Sequence, residues 1–267
     1  MRIKRGRELK DGKAWPKNGV RRPAKRHMNK AIFLIAMALH VQTEAKTIDD
    51  RLAEFGRAVR TRLTPLFADA GVPYPPSRMT LIGLKQEREL QLYAAGPDGP
   101  YKLIRSYPIL AASGTLGPKL REGDMQVPEG LYRIESLNPN SRFHLSLRVS
   151  YPNAFDREQA KAERRTNLGG DIMIHGNAVS IGCIAVGDPA SEDLFILAAE
   201  TGLRSVQVIL APVDFRDGKS VRSDADTPQW VGRLYESIKT ELSTYDKEKP
   251  AEPKFGLEGQ KPSHQTR

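Results

Sequence analysis

MTLIGLKQERELQLYAAGPDGPYKLIRSYPIL, residues 79–110, reads as strands. MTLIGL (79–84), RELQLYAA (88–95) and YKLIRSYPIL (101–110) are short apolar or alternating runs of the kind that build a sheet. GPDGP (96–100) between the last two marks a hairpin turn. Upstream, residues 46–71 carry Ile48, Leu52, Phe55, Val59, Leu63 and Leu66 at three- and four-residue spacing, which predicts an amphipathic helix ended by Gly71. VPYPPS (72–77) breaks the chain between helix and strands.

Downstream, residues 112–130 are rich in Gly and Pro and predict a long loop. LYRIESL (131–137) and FHLSLRVSY (143–151) predict two more strands with a turn at NPNS (138–141). Residues 153–170 are charged and polar, a surface helix or lid before a Gly-Gly break. DIMIH (171–175) is a short buried strand. Residues 188–202 form a helix, with Pro189 in the first turn, early acids and Gly202 as C-cap. SVQVILAPV (205–213) is a strand, and residues 227–245 form a second amphipathic helix. The order predicts a mainly β domain with flanking helices, an α+β fold. The organisation is a basic arm and export signal (1–45), an N-terminal helix and linker (46–76), a central domain (77–212), a C-terminal helical extension (213–245) and a disordered tail (246–267).

The formal net charge of the 267-residue chain is +10. Residues 1–30 hold twelve Lys or Arg and two acids, so the remainder balances to zero. The basic character belongs to the N-terminal arm, and no basic helix, RNP-type strand or zinc spacing follows it. Nucleic acid is therefore not an expected partner. The apolar run AIFLIAMALHV (31–41) is shorter than the roughly 20 residues a membrane span needs. With Lys30 before it and TEA (43–45) after it, the run fits a secretory signal, and Met28 opens a signal of more usual length. The competing reading is an amphipathic or buried helix. The expected location is the periplasm, with membrane contact only through the signal.

Cys183 is the only cysteine, so an exported chain has no internal disulfide. It lies eight residues after His175 in IMIHGNAVSIGC, just before the helix predicted from residue 188. An imidazole within hydrogen-bond reach takes a thiol's proton and returns it to a leaving amine. Gly182 permits a sharp turn that exposes the sulfur and converges backbone N–H groups, as an oxyanion hole requires. Ser180 either bonds His175, lines that hole, or is a plain turn serine. The spacing alone leaves a structural alternative: a satisfied strand-end histidine beside a small buried thiol. A metal site is not expected, because only His175 and His144 are available in the body, without a second cysteine.

The segment IMIHGNAVSIGCIAV resembles the active-site segment of YkuD-type L,D-transpeptidase catalytic domains, with a His-Gly followed by Ser-x-Gly-Cys. It is similar to the murein L,D-transpeptidase-like periplasmic subgroup, and the likeness extends through LKQERELQLY, SGTLGPKLREGDMQVPEGLYRI and LNPNSRFHLSLRVSYPNAFD, roughly residues 77–211. The resemblance implies an L,D-transpeptidase-type β-rich catalytic domain. Cys183 would attack a peptide carbonyl next to meso-diaminopimelate in a peptidoglycan stem, forming a thioester, with His175 as base. An amine or water would then resolve it. The N–H of Cys183, with Gly182 nearby, would hold the oxyanion, and the Gly176 carbonyl would orient His175. His144, Tyr151, Asn153 and Lys119 become candidate substrate contacts; for His144 a packed strand histidine is the competing reading. Lys119, Arg121 and Arg148 are candidate partners for acidic stems, or simply solvated charges.

Two positions depart from the common pattern. Ile181 stands where many members have His, and Ala185 where an Arg follows the cysteine. The alternatives are therefore an amidase that releases a peptide or a peptidoglycan-linked lipoprotein, and a non-catalytic peptidoglycan-binding envelope protein. Thiol chemistry with a histidine base needs no cofactor.

Overall fold

A computed structural model describes residues 45–247 apart from 223 and 225. The basic arm and signal segment, and the tail from residue 248, lie outside the described residues.

The N-terminal helix α1 (Ile48–Asp69) starts at Thr47, whose side chain and that of Asp50 cap each other's backbone N–H groups. It buries Gly56, Val59, Leu63 and Phe67 along one stripe. The strands are β1 (Arg78–Leu84), β2 (Glu89–Ala95), β3 (Lys102–Pro108), β4 (Ala111–Ala112), β5 (Gly130–Ser141), β6 (His144–Val149), β7 (Met173–His175), β8 (Ile184–Ala185) and β9 (Val206–Ala211). They form one sheet in the order β3-β2-β1-β9-β5-β6-β7-β8-β4. β1 with β9 and β7 with β8 run parallel, and the other neighbours antiparallel. The remaining helices are α2 (Ala154–Ala162), α3 (Asp188–Thr201) and α4 (Val231–Leu242).

The sheet is covered on both faces where β1 and β9 meet. Met79 and Leu81 face the larger core with α1 and α3, while Ile82 and Leu84 face a second core with α4. Double burial explains why MTLIGL reads as a nearly continuous apolar run. α3 buries eight side chains almost all round, from Ala190 to Ala198, so it sits inside the larger core. α4 presents Val231, Leu234, Ile238 and Leu242 to the smaller one.

The structure corrects two local expectations. NPNS is not the turn: β5 runs through Ser141, and the reversal falls at Arg142–Phe143. The register shifts between Asn138 and Ser141, so the turn-forming residues are absorbed in a bulge. Pro139 is tolerated because this half of β5 pairs only with β6. Asn140 is tied by its side chain to both the N–H and the carbonyl of Lys46. Secondly, Cys183 does not abut a helix. The two-residue β8 intervenes, and it pairs with the equally short β4, which the sequence left in a loop.

Candidate active site

β7 ends at His175 and β8 begins after Cys183, with Ile174 opposite Ile184 and His175 opposite Ala185. Side chains alternate across a strand, and the buried pair Ile174 and Ile184 occupies one face. His175 and the position of Cys183 therefore fall on the other, one diagonal step apart on adjacent chains. A parallel connection normally needs about a dozen residues; here eight suffice because both strands are very short.

His175 is 1 % exposed. Its Nδ1 lies 2.6 Å from the Gly176 carbonyl, which makes Nδ1 the protonated nitrogen and leaves Nε2 with a free lone pair. Phe143 stacks on the ring at 4.6 Å between centroids. Burial pushes the imidazole pKa below its ordinary value, and the Gly176 carbonyl partly offsets this. Gly176 has to be glycine: a Cβ there would lie 2.4 Å from Asp188 Oδ1 and 2.8 Å from the Phe143 carbonyl.

The Cys183 thiol is half-buried and donates to the Asp171 carbonyl at 3.6 Å. Burial raises its pKa, the Met173 backbone N–H opposes that, Asp171 adds to it, and the charge of Lys119 lowers it. Burial thus favours the neutral form of both groups, the thiol and the imidazole. Alkylation of Cys183 by iodoacetamide is expected to be slow at pH 7, with a rate that rises to a midpoint above that of a free cysteine thiol. A midpoint below that value in a rate-versus-pH series would show a preformed thiolate instead.

The turn before the sulfur is held by two serines. Gly182 adopts a φ of +87°, which L side chains rarely take. Ser180 Oγ accepts from the Cys183 N–H at 3.1 Å and donates to the Cys183 carbonyl at 2.5 Å. Ser180 thus closes the turn and has no bond to His175. The Gly182 N–H donates to Ser113 Oγ at 2.5 Å, and Ser113 donates on to the Met125 carbonyl at 2.7 Å. The Gly182 and Cys183 N–H groups therefore both rest on serine hydroxyls. Ser113 sits next to β4, and the β4–β8 pairing brings it to the turn from 69 positions away. No local pattern singled out Ser113, Phe143 or Asp171, because their roles arise from strand order.

The other candidate contacts each have partners within the fold. His144 Nε2 meets Glu192 Oε1 at 3.1 Å and its ring packs edge-on to Phe55. Tyr151 is buried and donates to the carbonyls of Lys119 and Leu168. Asn153 caps α2 in a capping box with Asp156 and donates to the Leu131 carbonyl. Lys119 Nζ bonds Asp124 at 2.6 Å and the Arg121 carbonyl at 2.9 Å. Arg148 pairs with Glu135 and Asp171. Arg121 is exposed. Ile181 is 80 % exposed. Among the described residues no cluster of three or more His, Cys, Asp or Glu is placed to hold a metal ion.

Residues 82–210 match the YkuD family, described as the L,D-transpeptidase catalytic domain. The chain is 38 % identical over 143 residues to "Putative L,D-transpeptidase YafK" of Escherichia coli (strain K12), covering 52 % of this chain and 55 % of that protein. The chain thus spans about half the length of the curated relatives it matches. Among solved structures, the helical cell shape determining protein Pgp2 from Campylobacter jejuni overlaps with a TM-score of 0.43 at 18 % identity, over 64 % of this chain and 71 % of that one. L,D-transpeptidase 1 of Mycobacterium tuberculosis overlaps with a TM-score of 0.29 at 14 % identity, over 50 % and 62 %. The sequence match carries the likeness: over residues 82–210, just under half of the chain, it is similar to the catalytic domain of the YkuD L,D-transpeptidase family.

Proposed function

We propose that this domain catalyses cysteine-dependent acyl transfer on peptidoglycan stem peptides, at the carbonyl next to meso-diaminopimelate, in the periplasm. The observation that carries the reading is the state of His175: its Nδ1 is engaged by Gly176, so Nε2 is a base on the sheet face that Cys183 shares. In the reaction, Nε2 takes the thiol proton as the sulfur attacks the carbonyl carbon. The oxyanion displaces Ser180 Oγ from the Cys183 N–H and takes that bond. The imidazolium returns the proton to the departing amine, leaving a thioester. An incoming amine then gives a transpeptidated product, and water gives hydrolysis. Ile181 and Ala185, apolar where relatives carry His and Arg, keep the hydrolytic outcome open, including release of a peptidoglycan-linked lipoprotein. The segment at residues 31–45 accounts for export in this reading. No helix of the described residues is long and apolar enough to cross a membrane.

The test is incubation of the purified chain with muropeptides, followed by mass spectrometry. New diaminopimelate–diaminopimelate cross-links identify transpeptidation; shortened or released peptides identify hydrolysis. No change on either cross-linked or lipoprotein-bearing substrate removes the catalytic reading, and the same products from Cys183→Ala would do so too. The pH dependence has a stated sign. His175 must be neutral to act, and burial depresses its pKa. Activity should therefore persist as pH falls through the ordinary histidine range, with the acid limb of kcat/KM below about 6.5. A limb above that value would contradict a buried neutral base.

A further inference from the structure

A second feature lies along the segment that leads to Asp171. α2 and the segment after it border an open surface cavity of about 680 Å³. Its lining includes Arg157, Lys161, Arg164, Arg165, Thr166 and Asn167, and no carboxylate. Arg165 is paired with Glu163 at 2.7 Å. Arg157, Lys161 and Arg164 are exposed and form no ion pair among the described residues. Three acids adjoin these cations in sequence and none lines the cavity: Asp156 faces inward to its capping box and Tyr132, Glu163 is held by Arg165 and Trp230, and Glu158 is exposed. Outside the basic arm the chain is electrically balanced. Three unpaired cations in one concavity are therefore a local concentration and not a general property of the surface.

The cavity's position ties it to the proposed chemistry. It reaches Leu168 and Gly169, and two residues on, the Asp171 carbonyl accepts the Cys183 thiol. Tyr151 fixes this wall by donating to the Leu168 and Lys119 carbonyls. With Ala185 after the sulfur, no cation follows Cys183 within the next four positions, and Arg148 near it is already paired with Glu135 and Asp171.

We propose that this cavity binds the carboxylates of the acidic stem peptide whose carbonyl is presented to Cys183. The proposal deepens the function proposed above and rests on it for the identity of the peptide. The chemistry favours a peptide acid over other anions. The volume falls in the range of small-ligand pockets, roughly 300–1,000 Å³. No aromatic side chain lines the cavity, so a nucleobase would find no stacking platform. Thr166 and Asn167 add neutral hydrogen-bonding groups for peptide amides.

The experiment uses the full chain with Cys183→Ala to prevent turnover. The probe is the synthetic tetrapeptide L-alanyl-γ-D-glutamyl-meso-diaminopimelyl-D-alanine, alongside its fully amidated form. Combining Arg157→Gln, Lys161→Gln and Arg164→Gln should raise the tetrapeptide Kd by roughly tenfold, the sum expected for three exposed charge contacts. Amidation should cost the same, and the two losses should not add. The single reversal Lys161→Glu provides a second variant, expected to weaken the tetrapeptide more than the amidated form. Unchanged tetrapeptide binding by the triple variant overturns the proposal. So does loss of binding to phosphatidylglycerol vesicles alone, which assigns the cations to a membrane surface. If wild type leaves muropeptides unaltered while this carboxylate-dependent binding holds, the catalytic reading fails and the cavity stands. If turnover occurs with a KM indifferent to the three substitutions, the cavity fails and the catalytic reading stands.

Discussion

Glutamine in place of His175 lowers turnover of muropeptides by about 10²–10⁴-fold, the range that a positioned general base contributes. Glutamine keeps a polar side chain of similar reach but takes no proton at neutral pH. The effect is expected to be large because the thiol pKa is raised by burial. A preformed thiolate would attack without help, whereas a buried neutral thiol must lose its proton during the attack. Thermal unfolding separates this loss from misfolding, since His175 also packs against Phe143. Steady-state kinetics with product detection by mass spectrometry provide the check. A folded variant with more than a tenth of wild-type turnover would rule His175 out as the base.

The second large effect lies in the scaffold. Lys85 and Glu129 form a buried ion pair at 2.9 Å, with side chains 8 % and 0 % exposed. Lys85 Nζ also bonds the Gly117 and Val127 carbonyls. Glu129 accepts from the Gly117 N–H and from Tyr235 Oη. The pair thus ties the end of β1, the 113–130 loop and α4 into one polar knot between two apolar cores. Burial lowers the Lys85 pKa despite the carboxylate beside it. Lys85→Met leaves Glu129 buried without its cation, which costs about 3–5 kcal/mol. For a domain of this size that is a drop in Tm of roughly 6–20 °C. The double variant Lys85→Met, Glu129→Gln should recover part of the loss, because no charge remains unpaired. Calorimetry reads both. A double-variant loss equal to the sum of the two single-variant losses would show that the two charges do not depend on each other. The same loop carries Met125, whose carbonyl holds Ser113 and through it the Gly182 turn. Lys85→Met should therefore also reduce turnover.

Most of the elements were legible in the sequence because each is written in local periodicity. Val231, Leu234, Ile238 and Leu242 repeat at helical spacing and all are buried. Pro189 and Gly202 mark the two ends of α3. The NPNS segment misled because turn-forming residues also build bulges, and only the partner strand decides between them. β4 and β8, two residues each, carry no periodicity at all.

The candidate site divides along the same line. The sequence alone determined the chemistry available: one thiol, one neighbouring histidine, and glycines where the backbone must turn or be approached closely. Tertiary structure decided which nitrogen of His175 is free, that two serine hydroxyls occupy the N–H groups of the thiol turn, and that His144 belongs to Glu192. It also gathered Arg157, Lys161 and Arg164, none of them in an ion pair among the described residues, around one surface cavity. Residue identity sets what a group can do, and this a sequence contains. Partners separated by tens of positions are chosen by strand order and burial, which exist only once the sheet has formed.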